Sequence, residues 1–468
     1  MHFDRLHPSR RPLDVPHRFW MTLAAVALVA TPSHAGDWLE FADETATRLV
    51  ADAGVGTADT EEKDLIAGDV DRDGDIDMLI ARKVPFSTAG GRANVLFMNE
   101  GGVMTDRTAT LAADMLDATD DRDVLLVDVD GDQWLDVVTV TTFFEQPRVY
   151  MNLGNDVGGN WLGFDYDAMT QRLPTFSPGP KFCAVAAGDV DGQNGPDLYF
   201  VDYDSPLEDR LLINDGNGFF TDETASRMTL AMYESVFGTD AAIVDLDGDG
   251  DMDIVKNNSS GSTPPPGSSQ PAVRALYNDG TGNFDFMDLI YTDAPYMVET
   301  ADMNGDQRVD IFVVDDLQDS LLVNTGNDAM GHAQWSTQAV TSSPGTSDFG
   351  GNTKIVDMDL DGRLDVLVAD VDTDIAGCDR NLTILRGQGT GQNVTLSDPL
   401  NGALRPWTTQ GTFDIEVFDI DGDTVPDLWV ATCTGNQIFI NQTEAAIPVF
   451  NDGFESADTL AWSATVVD

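Results

Sequence analysis

The nonapeptide from Asp69 to Asp77 carries carboxylates at its positions 1, 3, 5, 7 and 9 and is flanked by apolar residues. The pattern returns from Asp128 to Asp136, Asp189 to Asp197, Asp245 to Asp253, Asp302 to Asp310, Asp357 to Asp365 and Asp419 to Asp427, with starts 59, 61, 56, 57, 55 and 62 residues apart. Seven copies at near-constant spacing restrict the chain to a repeat architecture, because each copy is one supersecondary unit that buries its apolar faces only against its neighbours.

In the first unit, Leu65 to Val70 enters the acidic loop and Met78 to Ala81 leaves it. Asn94 to Asn99 forms a third apolar run and Val103 to Asp106 a fourth, across a Gly-Gly turn. Short runs bounded by Gly, Asn and Asp read as strands. They are apolar at nearly every position, which requires cover on both faces. The third-strand slot is filled elsewhere by Arg148 to Asn152, Leu211 to Asn214, Ala275 to Asn278, Leu321 to Asn324, Leu382 to Leu385 and Gln437 to Asn441. Four short antiparallel strands per unit make a propeller blade. The fold class is therefore all-β, a seven-bladed β-propeller of four-stranded antiparallel blades. After Asn441 the last unit lacks the Phe-x-Asp-Glu-Thr-Ala element that the third unit carries at Phe220 to Ala225, and the same element stands at Phe41 to Ala46. A ring closes without leaving a sheet edge, so Trp38 to Thr45 is expected to pair with Gln437 to Asn441.

Each loop offers the oxygens of a hard cation site. Ca²⁺ takes six to eight oxygens from a flexible turn; side chains at positions 1, 3, 5 and 9 and the carbonyl of position 7 supply most of them. The candidate ligands are Asp69, Asp71, Asp73, Asp75 and Asp77 in the first loop, and Asp128, Asp130, Asp132, Trp134 and Asp136 in the second. The third offers Asp189, Asp191, Gln193 and Asp197, and the fourth Asp245, Asp247, Asp249, Asp251 and Asp253. The fifth offers Asp302, Asn304, Asp306, Arg308 and Asp310, the sixth Asp357, Asp359, Asp361, Arg363 and Asp365, and the seventh Asp419, Asp421, Asp423, Val425 and Asp427. Up to seven calcium ions are expected, one per blade. Asn304 keeps an oxygen in place of a carboxylate, whereas Gln193 makes the third site the least complete. Flanking strands, and Ile80 where an EF-hand places its closing Glu, set these loops apart from that motif. Two carboxylates ~4 Å apart repel by ~4 kcal/mol at an effective dielectric of ~20, so an empty loop is strained.

The formal net charge of -56 excludes electrostatic attraction to nucleic acid or an anionic membrane. A hydrophobic fraction of 42% excludes a disordered acidic chain. Arg5, Arg10, Arg11 and Arg18 precede an apolar run from Phe19 to Ala30 and a small-x-small site at Ser33 to Ala35, the pattern of an export signal. The expected organisation is a signal peptide over 1–35, the propeller over 36–445 and a tail over 446–468, in a secreted, extracellular or cell-surface monomer without a membrane span; a periplasmic location is an alternative. Export permits a disulfide, and Cys378 with Cys433 is one pairing that leaves Cys183 over, three unpaired thiols being the other possibility. Of the five histidines only His332 lies beyond the leader, which rules out a histidine metal cluster, and it is expected to be an ordinary surface residue. No nucleophilic dyad stands out, and no enzyme activity is expected.

The Asp-x-Asp-x-Asp-Gly-x-x-Asp loop, followed by Leu-x-x-Asn-x-Gly-x-Gly-x-Phe-x-Asp-x-Thr, resembles the FG-GAP/VCBS repeats of integrin α-subunit propeller heads and of many secreted bacterial proteins. The resemblance spans Trp38 to Asn441. It implies calcium beneath the blades and an extracellular glycan or protein partner on the opposite face, in a binding or adhesion module; family members that act on polysaccharides supply the alternative of a lyase or hydrolase. No Arg-Gly-Asp motif occurs, and the third loop departs from the pattern. The connections around residues 82–93, 257–272 and 370–381 emerge on that opposite face, with Phe86, Trp161, Tyr203, Tyr233, Tyr296 and Trp407 as candidate contacts. The tail from Ile447 to Ser456 is similar to a short C-terminal segment of exported bacterial proteins.

Overall fold

The computed structural model describes residues 38–443 except 53–60, 85–89, 144, 178, 204–207, 236, 259–270, 316–317, 341–350, 370–381, 390–393, 398–408 and 410. The leader, the tail, Phe86, Trp407, Cys378 and most of the three long connections lie outside the described residues.

Seven antiparallel sheets follow one another along the chain. Blade 1 is Glu62–Gly68, Asp77–Lys83, Val95–Asn99 and Met104–Asp106, with the two-residue strand Leu49–Val50 added in parallel outside Met104–Asp106. Blade 2 is Asp121–Val127, Asp136–Thr141, Arg148–Asn152 and the two-residue Phe164–Asp165. Blade 3 is Phe182–Gly188, Asp197–Asp202, Arg210–Asn214 and Phe220–Asp222, and blade 4 is Ala241–Val244, Asp253–Asn258, Ala272–Asn278 and Phe284–Tyr291. Blade 5 is Pro295–Ala301, Asp310–Asp315, Ser320–Asn327 and Ala333–Ala339, and blade 6 is Thr353–Val356, Asp365–Val368, Thr383–Gln388 and Thr395–Ser397. Blade 7 takes Thr412–Phe418, Asp427–Thr432 and Gly435–Asn441 from the C-terminal side and Phe41–Asp43 from the N-terminal side.

The closure has the expected partners over a shorter span: Phe41 faces Asn441, Ala42 faces Ile440 and Asp43 faces Phe439. Thr45 then caps the next position, its Oγ1 accepting the Ile438 N–H at 2.9 Å. The first strands neighbour one another in cyclic order, with Thr412–Phe418 beside Glu62–Gly68.

The second strands are buried along their whole length because both faces meet another blade. The cores accordingly lie between blades. Met78, Phe97, Trp429 and Ile438 join blades 1 and 7, with the Phe97 and Trp429 rings 5.3 Å apart. Val138, Phe182, Phe200 and Leu212 join blades 2 and 3. Between blades 3 and 4 lies a polar exception: Lys256 Nζ pairs with Asp209 Oδ2, both side chains fully buried, and Tyr199 donates to the same oxygen at 2.9 Å.

Antiparallel order puts every acidic loop at one end of its blade and the connections between second and third strands at the other. Cys183 is a buried thiol in the first strand of blade 3, and Cys433 is disulfide-bonded. No helix among the described residues is long and apolar enough to cross a membrane, which leaves strands unaddressed.

Candidate metal centres

The seven loops share one backbone. Positions 4 and 6 have positive φ in each: Arg72 and Gly74, Gly131 and Gln133, Gly192 and Asn194, Gly248 and Gly250, Gly305 and Gln307, Leu360 and Gly362, Gly422 and Thr424. These two left-handed residues curl the chain so that N–H groups point at the position-1 carboxylate. Asp69 accepts from Gly74 at 3.2 Å, Asp128 from Gln133 at 2.8 Å, Asp245 from Gly250 at 3.1 Å, Asp302 from Gln307 at 2.7 Å, Asp357 from Gly362 at 2.8 Å and Asp419 from Thr424 at 2.7 Å. In the third loop Asp189 accepts instead from Gln193 at 3.0 Å.

Position 9 is the deepest. Asp77, Asp136, Asp197, Asp253, Asp310, Asp365 and Asp427 are all buried at the root of the second strand. One oxygen of each accepts the N–H of position 2, as Asp77 does from Val70 at 3.2 Å and Asp427 from Ile420 at 2.9 Å. The other accepts an N–H of the third strand, as Asp136 does from Asn152 at 2.8 Å and Asp253 from Asn278 at 2.8 Å. Burial pushes these carboxyls up, to about 8 for Asp77, about 7 for Asp136, Asp253, Asp365 and Asp427, and about 6 for Asp197 and Asp310. The two N–H bonds oppose the rise, and two of the carboxylates at positions 1, 3 and 5 of the same loop add to it.

In loops 1 to 4, one oxygen from each of positions 1, 3 and 9 lies within 4.8 Å of the others: Asp69, Asp71 and Asp77; Asp128, Asp130 and Asp136; Asp189, Asp191 and Asp197; Asp245, Asp247 and Asp253. The third loop keeps this cluster despite Gln193. In loop 6 the converging residues are Asp357, Asp359 and Asp361, positions 1, 3 and 5. The fit to a cation is clearest at two atoms. Asp69 Oδ1 and Asp421 Oδ1 are buried and make no hydrogen bond, an arrangement that leaves negative charge desolvated unless a cation meets it. Asp73, Asp75, Asp132, Asp249, Asp251, Asp306 and Asp423 complete the acidic rims at positions 5 and 7.

Two position-7 side chains bend back onto the loop, Arg308 pairing with Asp306 and Arg363 with Asp361. Trp134 receives the Arg72 guanidinium over its ring at 4.1 Å, joining loops 1 and 2, while Val425 donates its N–H to Asp423 at 2.8 Å. Asn304 accepts the Asp306 N–H at 2.9 Å and leaves its Nδ2 buried without a partner.

The sequence reading missed the asparagine that ends the third strand. Its side-chain amide donates to the position-2 carbonyl of the preceding blade: Asn99 to Ile420, Asn152 to Val70, Asn214 to Val129, Asn278 to Val190, Asn324 to Leu246 and Asn441 to Met358, at 2.6–3.1 Å. Six of the loops are thereby fastened to the next blade, the loop of blade 5 being the exception. Blade 6 has Gly387 in that place, and a Cβ there would stand 2.1 Å from the Leu364 carbonyl oxygen.

Two expectations are corrected. His332 is no ordinary surface residue: its half-buried ring stacks on Phe286 at 3.9 Å and 4°, because the turn that carries it packs against blade 4. Trp161 sits at the loop end rather than the opposite end, its Nε1 donating to Asn152 Oδ1 at 2.8 Å, because the hairpin after Arg148–Asn152 folds back there. Tyr203, Tyr233 and Tyr296 do lie toward the opposite end, each half-buried.

A ring of seven four-stranded blades with an acidic loop at one end of each defines a β-propeller whose clustered carboxylates could hold metal ions. The propeller carries FG-GAP-like repeats, that family matching residues 189–255, 302–368 and 357–430. Similar solved structures include an Agrocybe aegerita lectin that recognises non-reducing terminal N-acetylglucosamine, 16% identical, with a TM-score of 0.48, covering 82% of this chain and 90% of that one. BBS1N in complex with ARL6DN, soaked with mercury, is 10% identical with a TM-score of 0.45, covering 84% of this chain and 95% of that one. None of the curated proteins matches the chain.

Proposed function

We propose that this chain is a secreted binding module whose loops hold calcium and whose opposite face carries an extracellular glycan or protein ligand in an adhesive or scaffolding role. The propeller of FG-GAP-like repeats supports a binding or scaffold module. The observation that carries the choice of ion is the pair of buried, partnerless oxygens, Asp69 Oδ1 and Asp421 Oδ1, within all-oxygen loops. Hard carboxylate and carbonyl oxygens suit Ca²⁺, and at ~1 mM calcium a site of ~0.1 mM affinity adds ~1.4 kcal/mol. The residues that hold the ion are those at positions 1, 3 and 9, joined by position 5 and the position-7 carbonyl.

A non-catalytic role is preferred because the carboxylates near the inner strands already serve the backbone. Asp64 accepts the Val124 N–H at 3.1 Å, Asp123 the Val185 N–H at 2.7 Å, Asp240 the Val298 N–H at 2.9 Å and Asp414 the Leu65 N–H at 2.6 Å. The test is a melting curve of the mature protein with calcium and with EDTA, beside a glycan array read under both conditions. A lower melting temperature in EDTA and calcium-dependent glycan binding are expected. An unchanged melt would remove calcium from the reading, and product release from a polysaccharide panel would replace the binding module with an enzyme.

A further inference from the structure

The residue before the interblade asparagine is apolar in six blades, namely Met98, Met151, Ile213, Tyr277, Val323 and Ile440, and is Arg386 in blade 6. Its guanidinium turns into the acidic loop. Nη2 donates to Asp359 Oδ2 and, at 3.1 Å, to Asp361 Oδ2, so one cationic nitrogen bridges positions 3 and 5. Asp361 Oδ2 also takes Arg363 Nη1 at 3.1 Å. Trp38, at the start of the described chain, lays its ring over the Arg386 guanidinium at 5.1 Å from carbon to ring centre. The guanidinium is thus boxed by two carboxylates and an aromatic face, contacts that are charge-assisted and partly screened from water.

No other loop has this arrangement among the described residues. Arg227 and Arg48 each reach one outer oxygen of position 3, Asp191 and Asp421, at 3.1 Å. Both are anchored elsewhere, Arg227 to Glu223 and the Thr281 carbonyl, Arg48 to Glu44 and the Gly102 carbonyl. They fasten neighbouring blades without bridging two ligand positions, and in the seventh loop they leave Asp421 Oδ1 open.

We propose that Arg386 is the built-in cation of the sixth loop, so that this loop keeps its form without calcium while loops 1 to 4 require the ion. The inference rests on the calcium reading of the other loops. Ca²⁺ needs the position-3 and position-5 oxygens at 2.3–2.6 Å, and a guanidinium bridging the same oxygens excludes it by charge and by volume. Loop 6 keeps its fastener from the next blade, Asn441 donating to the Met358 carbonyl at 2.9 Å, so what sets this loop apart is the Arg386 bridge alone.

Calcium bound per chain would be counted by equilibrium dialysis of the full protein at ~1 mM free calcium, the concentration at which extracellular sites of this kind fill, with near-UV circular dichroism as the check on folding. The double variant D359N/D361N is expected to bind as many ions as the wild type, D245N/D247N one fewer, and R386A one more. Loss of one ion in D359N/D361N, or an unchanged count in a folded R386A, overturns the proposal. Where R386A does not fold, the D359N/D361N count decides alone. A wild-type chain that binds no calcium, or an undiminished count in D245N/D247N, overturns the calcium reading itself and this inference with it.

Discussion

The asparagine side chains hold the ring by hydrogen bonds that no hydrophobic contact replaces. Asn152 donates to Val70 and Leu135 carbonyls at 2.8 and 3.1 Å, and its Oδ1 accepts from Gly154 and Trp161. Asn152→Ala strips several buried groups of partners at once. The expected loss is about 3 kcal/mol, read as a lower urea midpoint at unchanged m. Asp240 provides a pH handle of the opposite kind. Burial pushes its carboxyl up to about 7, Asp64 raises it further, and its two backbone N–H bonds and Arg122 pull it down. Asp123, Glu299, Lys354, Asp414 and Glu416 are the other charged groups of this inner cluster, as their mutual interactions with Asp64, Asp240 and one another show. A carboxyl raised from an ordinary 3.8 to about 7 favours the fold while protonated. That contribution is complete below pH 4 and is lost as pH rises through about 7. Asp240→Asn has no proton to lose. Its melting temperature relative to the wild type should therefore climb by on the order of 2 °C between pH 5 and pH 8, with calcium held constant. A flat difference would place the titration on another group.

At the scale of strands, the ring depends on one three-residue element. Phe41–Asp43 covers Gly435–Asn441, and Thr45 caps Ile438 as Thr108 caps Leu96 and Thr224 caps Leu211, each N–H meeting a threonine Oγ1 at 2.8–2.9 Å. Deleting residues 38–45 turns Gly435–Asn441 into an exposed edge. The expected outcome is concentration-dependent association on size exclusion, with fast hydrogen exchange confined first to the amides of 435–441. A monomer with protected amides there would show that the ring holds without its closing strand. This element was legible in the sequence because Phe-x-Asp-Glu-Thr-Ala occurs once too often at the start and once too few at the end. The seven loops were legible for a similar reason, since a carboxylate spacing is a chemical pattern that survives variation between blades. Other parts were not. The asparagine reads as a turn residue until the structure shows the neighbouring carbonyl it meets, some 80 residues away, as Val70 is from Asn152. Arg386 occupies an apolar slot and so reads as a substitution, its partner loop lying 25 to 27 residues upstream. The asparagine contacts cross between blades, and spacing within a unit carries no trace of them; the Arg386 contact lies within blade 6 but has no counterpart in the other units to mark it.

At the scale of the whole molecule, charge and fold pull against each other. A net charge of -56 is gathered in part into loops at one end of the blades, where position-9 carboxyls are buried and two loop carboxylate oxygens have no hydrogen-bond partner. On the calcium reading, chelation leaves this repulsion in place, acting along the same end of the ring across the loops that hold an ion. Bulk salt offsets the same repulsion differently, shortening the screening length from ~10 Å at 0.1 M to ~3 Å at 1 M. It acts on exposed rim carboxylates and does not reach the buried oxygens. In EDTA, raising sodium chloride from 0.1 to 1 M should therefore recover part of the melting temperature lost to chelation and leave the rest. With calcium present, the same salt step should have a much smaller effect. Full recovery by salt alone would mean that the loops need only screening, and that calcium at Asp69 or at Asp421 is not what holds the blades together. Partial recovery, with the remainder returned only by calcium, would assign the buried oxygens to the ion and the rim to general electrostatics.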